Sequence, residues 1–416
     1  MATTGAAEPK LLSFTEARQV AETYAAKLSP TEPEMLSVLD ALGLVLAEHL
    51  RADRDFPPFP RATRDGYAVR AFDVATVPAR LHLVGEIKAG ASAEQSSIAI
   101  GKGEAAEIMT GAPVPSGADA VVMVEYTQRS GDEVNVRRAV QAGENVVAAG
   151  SEARQGTMMV PRGTRVTHTT VAVAAAVGRA EIAVYRRPKV AILATGDELV
   201  DINLPPGPNE IRNSNSYSLA AQVYAAGGEP VILPVAPDAP DELALLLRKG
   251  FDSDLLLVTG GVSMGKYDLV EQVLASFEAK FLFTGVRIQP GKPVVFGEAT
   301  VRDKTARFFG LPGNPVSTMV TFQLLVRPVL DALSGSAPQP LPFATAVLQS
   351  SFTTKTGLTR FLPAKLGGTH ERPEVEAVRW QGSGDLMAVS RSNCYIVVPP
   401  ERDHYDAGES ITVLLF

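Results

Sequence analysis

Two glycine-centred loops carry the residue types in this chain best suited to binding an anion. The first, Gly260-Gly261-Val262-Ser263-Met264-Gly265, follows the apolar run Leu255-Leu256-Leu257-Val258. The second is Gly310-Leu311-Pro312-Gly313-Asn314-Pro315-Val316-Ser317, at the start of a long helical pattern. Paired glycines after a buried strand let successive backbone N–H groups turn toward one point, a geometry that suits an oxyanion. Neither loop fits G-x-x-x-x-G-K-[ST] or G-x-G-x-x-G, and the chain lacks both nucleotide signatures throughout. Three carboxylates follow predicted strands: Glu198 in Thr195-Gly196-Asp197-Glu198, Asp238 in Pro237-Asp238-Ala239-Pro240, and Asp268. Oxygen ligands from three strand ends could hold a hard cation such as Mg²⁺. Each alone reads better as a loop carboxylate or helix cap, whereas three at successive strand ends favour a functional site.

Other candidates are less specific. Lys292 stands between rigid residues in Pro290-Gly291-Lys292-Pro293, where it could meet an anion or simply face solvent. Asp65 precedes Gly66, and Thr110 opens the rigid turn Thr110-Gly111-Ala112-Pro113; structural turns explain both. On spacing alone Arg360 and Ser383 read as surface residues.

The elements that must position these side chains alternate in kind along the chain. Ser13 and Glu16 fit a capping box, with Val20, Tyr24 and Leu28 on one helical face. Phe56-Pro57-Pro58-Phe59-Pro60 marks a boundary, and short alternating runs from about 66 to 149 predict a β-rich unit. An Ala/Val helix is expected over Val171–Val177. From 183 strands and helices alternate: strands at Val190–Ala194, Val231–Leu233 and Leu255–Val258, helices at Ser216–Ala226, Glu242–Lys249 and Leu269–Phe277. That order predicts a doubly wound, largely parallel sheet. After Ser336-Ala337-Pro338-Gln339-Pro340 the last eighty residues show β patterns, clearest at Tyr395–Val398 and Ile411–Leu415, and no helix, which fits a small barrel or sandwich.

Composition sets the outer bounds. A chain of 416 residues exceeds one ordinary core, so two to four domains are expected. Its net charge of −7 argues against a nucleic-acid partner, so any anion site must be a local basic pocket. Cys394 is the single cysteine, which excludes an internal disulfide and a thiolate zinc cluster. Residues 1–10 lack the apolar core of a signal peptide, and no run of membrane-span length is evident. A cytoplasmic protein without a membrane partner is the expectation.

Taken in order, the segments Pro58–Ala68, Met109–Pro115, Gly117–Val122, Ala194–Leu199, Gly260–Asp268, Pro290–Pro293 and Gly310–Ser317 resemble the molybdopterin molybdenumtransferases, the MoeA type related to the gephyrin E domain. The resemblance spans nearly the whole chain. It implies an α/β multidomain fold in four parts: an elongated, discontinuous domain (1–50 and 150–182), a β-rich domain (51–149), a MogA-like α/β domain (183–334) and a C-terminal β-barrel or sandwich (335–416). It also implies the activity. Molybdate and adenylylated molybdopterin enter, molybdenum is placed on the dithiolene sulfurs, and AMP leaves, with Mg²⁺ as cofactor.

Carried over residue by residue, the family's acidic positions match Asp65, Glu198, Asp238 and Asp268, the last three as metal ligands, and its threonine matches Thr110. Lys292, Ser317, Arg360 and Ser383 would cradle molybdate, a tetrahedral dianion, beside the loop residues Gly260, Gly261, Ser263, Pro312, Asn314 and Pro315. The resemblance implies a homodimer whose site lies between the α/β domain of one subunit and the second and fourth domains of the other. The chain departs from the family's usual pattern where Val147 replaces an arginine, at Ser151-Glu152, at Gln289 in place of a lysine, and at Arg64 in place of a methionine. A competing reading is an interaction scaffold without turnover, although such a relative would be expected to lose its acids. Tungstate, of the same shape and charge, remains an alternative to molybdate.

Overall fold

The computed structural model describes residues 11–90, 92, 97–261 and 269–416. Its central layer is a six-stranded sheet in the order Glu229–Ile232, Lys189–Ala194, Leu255–Thr259, Lys304–Leu311, Val295–Val301, Lys280–Phe283. The first four strands are parallel, and the last two add antiparallel.

The run Leu255-Leu256-Leu257-Val258 is buried without interruption because both faces of the sheet are covered. Leu255 and Leu257 enter one core, with Val190 and Ile192; Leu256 and Val258 enter the other, with Ala191 and Leu193. That is the two-residue alternation of a strand expressed as two separate cores. Helix Ser214–Ala225 packs on the first face, and helices Pro240–Gly250 and Leu269–Ala275 lie on the second.

The helical run Pro315–Leu333 is long and apolar enough to span a bilayer, but it is 83% buried, so its apolar surface is core surface. A π-turn, Phe322–Val326, interrupts it just before Pro328. Pro328 has no N–H to donate to the carbonyl of Leu324 four residues back. Arg18 supplies the missing donor, its Nη1 lying 2.8 Å from Leu324 O in a buried contact. Arg18 belongs to helix Phe14–Ala25, where Ser13 and Glu16 form the expected capping box. That helix packs on the α/β core through Leu12, Ala17 and Ala25.

The β-rich part is a six-stranded mixed sheet in the order Ala120–Met123, Gly66–Val69, Glu104–Ile108, Ala79–Ile87, Glu133–Val136, Thr127–Ser130. Two-stranded ribbons connect it to the rest of the chain: Pro33–Ser37 with Glu181–Tyr185, and Arg61–Ala62 with Val146–Val147. The predicted Ala/Val helix forms at His168–Ala176.

At the C-terminus, strands Phe343–Leu348, Thr359–Gly368, Pro373–Ala377, Cys394–Val398 and Ser410–Leu415 close into a five-stranded barrel, with Ile288–Gln289 added to Thr359–Gly368. Alternation again divides the side chains. Cys394, Ile396 and Val398 fill the barrel, while Tyr395, Phe361 and Leu414 join the α/β core. The expectation of no helix in this region is corrected by Leu386–Ser390, a five-residue turn capped by Asp385. A helix that short carries no readable periodicity.

Candidate active site

The chain leaves strand Lys189–Ala194 for one neighbour, Glu229–Ile232, and then crosses to the other, Leu255–Thr259. Such a reversal opens a crevice at the carboxyl ends of the strands. Here it is a cavity of about 670 Å³ whose wall includes Thr195, Glu198, Arg212, Asn215, Thr259, Gly260, Gly313, Asn314 and Pro315.

Both glycine loops face this space. Gly260 adopts φ +89°, and a Cβ there would lie 2.4 Å from Thr195 O, so glycine is required for the loop to cross the neighbouring strand end. Gly261 continues the left-handed path at φ +62°. The second loop is held by side chains from beneath. The Thr318 hydroxyl donates to Pro312 O at 2.6 Å, and the Thr259 hydroxyl donates to the same carbonyl at 3.1 Å.

The predicted site residues that the structure describes fall into three groups. Ser263 and Asp268 are outside the described residues. Glu198 lines the cavity, and its carboxylate has no hydrogen-bond or ion-pair partner among the described residues. Asp238 is tied to the cavity wall by Thr195, whose hydroxyl donates to Asp238 Oδ1 at 3.2 Å, while the Asp238 N–H donates to Asp197 Oδ1. Among the described residues no three His, Cys, Asp or Glu side chains gather closely enough to hold a metal ion.

The basic group lies where the barrel meets the α/β layer. Gln289 is the register partner of Arg360, and the turn that follows presents Lys292. Gly291 in that turn packs on the helix carrying Ser317: a Cβ on it would lie 2.4 Å from Thr321 Cγ2. Ser317 is buried. Arg360 is only 6% exposed; its Nε donates to Lys355 O at 2.8 Å, and no carboxylate among the described residues pairs with it. Burial pushes its pKa below the usual arginine value. Lys292 likewise has no ion-pair partner among the described residues. Ser383 joins the cavity wall to the barrel: Asn314 Nδ2 donates to Ser383 Oγ at 2.9 Å, and the Val316 N–H donates to Ser383 O at 3.0 Å. The fourth-domain loop therefore meets the α/β domain of its own chain, which corrects the expectation that it comes from a second subunit.

The third group is Asp65 with Thr110. Both are exposed, and neither lines the cavity. Asp65 Oδ1 accepts from the Thr110 backbone N–H at 2.6 Å and from its hydroxyl at 2.8 Å. These two bonds, the backbone one first, hold the Asp65 carboxyl below the usual carboxylate range.

The reading of the sequence missed Thr195, Thr259 and Asn215. All three are neutral and polar, and the cluster Asn213-Ser214-Asn215-Ser216 resembles a helix cap. Only Asn213 caps, accepting from the Ser216 N–H.

A mixed α/β layer with its crevice at a switch point, joined to a closed five-stranded barrel, defines a multidomain α/β protein with a preformed ligand cavity. Three family models cover the chain: the MoeA N-terminal region (domain I and II) matches residues 12–178, the “Probable molybdopterin binding domain” matches 191–332, and the MoeA C-terminal region (domain IV) matches 345–416. A molybdopterin molybdenumtransferase of Bacillus subtilis is 34% identical over 394 residues, covering 92% of this chain and 90% of the relative. One from Nostoc is 35% identical over 407 residues, covering 93% and 89%. The solved molybdopterin biosynthesis MoeA protein of Pyrococcus horikoshii OT3 superposes with a TM-score of 0.80 at 28% identity, covering 98% of this chain and 100% of that one. The chain belongs to the molybdopterin molybdenumtransferase family, a family of transferases in molybdenum cofactor biosynthesis.

Proposed function

We propose that this protein inserts molybdenum from molybdate into adenylylated molybdopterin and releases AMP. The observation that carries this reading is Arg360, a residue that lies largely under cover and whose guanidinium has no carboxylate paired to it among the described residues. Keeping a cation out of water without a counter-charge is costly, so the site is built to be completed by an anion. Lys292, also unpaired among the described residues, rests in a turn against the helix of Ser317. Two cations and a hydroxyl suit a tetrahedral dianion.

The 670 Å³ cavity beside it is proposed to take the adenylylated pterin. Glu198 and Asp238 are hard oxygen donors of the kind Mg²⁺ prefers, and they are proposed to hold it, with Asp268 as the third ligand. When bound, the ion would offset negative charge on the pyrophosphate. The chain's own side chains act by placement: Asn314 and Ser383 fix the second loop, Lys292 and Arg360 hold the oxyanion, and the glycine loops admit the ligand close to backbone. No covalent nucleophile is required, because positioning and charge stabilisation carry the rate. Asp65 and Thr110 are proposed to reach the cavity of a second subunit in a homodimer.

The test incubates the purified protein with adenylylated molybdopterin, Mg²⁺ and molybdate and follows AMP, with tungstate in a parallel reaction. Oxyanion-dependent AMP release above the protein-free rate is expected. Tight binding of the adenylylated pterin with no AMP release would support the scaffold reading instead.

A further inference from the structure

The two glycine loops are joined by one side chain. Asn215 Nδ2 donates both of its hydrogens, to Gly313 O at 2.7 Å and to Thr259 Oγ1 at 3.0 Å. The chemistry of the partners fixes this orientation. Gly313 O can only accept, and the Thr259 hydroxyl has already spent its hydrogen on Pro312 O. Thr259 is 1% exposed, so the link is anchored in the core. The loops approach each other here: a Cβ on Gly313 would make van der Waals contact, at 3.5 Å, with Gly260 Cα. With the amide nitrogen committed, Asn215 Oδ1 is left as a rigidly held acceptor in the cavity wall, with no donor among the described residues.

We propose that Asn215 sets the spacing of the two glycine loops and presents its Oδ1 to an N–H on the planar heterocycle of the substrate. The inference rests on the reading of the cavity as the adenylylated pterin site. A fixed acceptor selects for a donor-bearing edge, because a ligand lacking the donor leaves the amide oxygen desolvated and unmatched. Both the purine and the pterin of the substrate carry such an edge. Thr259 acts through Asn215 and is a positioning residue.

Binding of adenylylated molybdopterin and of AMP alone is measured by calorimetry for the wild type and for Asn215→Ala, Thr259→Val and Thr259→Ser, together with the molybdate dependence of AMP release. Asn215→Ala is expected to weaken adenylylated molybdopterin by about five- to tenfold, the range of one net hydrogen bond. Its molybdate dependence should stay at the wild-type value. Thr259→Val should weaken the substrate in the same direction, and Thr259→Ser, which keeps the hydroxyl, should restore it. If AMP alone weakens in parallel, the donor is on the purine; if AMP is unaffected, it is on the pterin, and either result supports the proposal. Unchanged substrate binding in Asn215→Ala, or an equal rise in its molybdate requirement, overturns it. A wild-type protein that neither binds the adenylylated pterin nor releases AMP would instead remove the reading of the cavity itself.

Discussion

The wall of the α/β cavity and the Asp65–Thr110 pair are built in opposite ways. The cavity wall is tied from several directions: Thr259 and Thr318 converge on Pro312 O, Asn215 bridges two loops, and Ser383 from the barrel holds Asn314. Among the described residues the Asp65 carboxylate is held by Thr110 alone, at 2.6 and 2.8 Å, at the exposed ends of two neighbouring inner strands of the β-rich sheet. One region is preorganised inside the chain. The other is a single carboxylate held ionised at the surface by a neutral neighbour, which suits the proposed role of reaching a second subunit.

The largest effects should come from removing a charge on either side. Glu198→Gln and Asp65→Asn are each expected to abolish AMP release with the circular-dichroism spectrum and melting temperature unchanged, and wild-type turnover in either would reject its role. Next, Arg360→Ala and Lys292→Ala should raise the molybdate requirement about ten- to a hundredfold, because a charge-assisted hydrogen bond to a dianion contributes about 1.5–3 kcal/mol. Titration of activity against molybdate reads this directly; an unchanged dependence in both would move the oxyanion site elsewhere.

A smaller effect should appear in the pH profile. The Asp65 carboxyl is held low by Thr110, so it stays ionised, and the stabilisation it gains is present above its unfolded pKa and lost as pH falls through the lower folded value. Thr110→Val removes one of the two bonds, so the acidic limb of the activity profile should move to higher pH; a limb that does not move would show that another group sets it. Gln289→Lys adds a cation beside Arg360 in the strand register and should lower the molybdate requirement several-fold. In the scaffold itself, Arg18→Met leaves Leu324 O without its donor and should cost about 1–3 kcal/mol, read as a lower melting temperature.

How much of this was legible in the sequence depended on the range of the interaction. The uninterrupted run Leu255–Val258 announced a strand covered on both faces, and Ser13 with Glu16 announced a helix start, because both are local patterns. The glycine loops were legible as loops. Their convergence was not, since Thr259 and Pro312 are 53 residues apart. Arg360 had no local mark of burial: the barrel strand and the pairing with Ile288–Gln289 put it under cover, and the family resemblance alone singled it out. Asn215 was hidden for the opposite reason, among polar neighbours that all look like caps. The source of the Ser383 loop was misjudged because an interdomain contact leaves no trace in spacing.

The central claim is that the preorganised cavity and the exposed acid of a different subunit make one site, and mixed dimers test it most directly. Asp65→Asn and Glu198→Gln proteins are each prepared alone, then unfolded, mixed in equal amounts and refolded together. Each alone should be inactive, and the mixture should recover about a quarter of the wild-type AMP release, since half of the dimers are mixed and each has one intact site of two. Recovery in the mixture with none in either parent is the predicted result. No recovery from a mixture in which mixed dimers are demonstrably present would contradict the account.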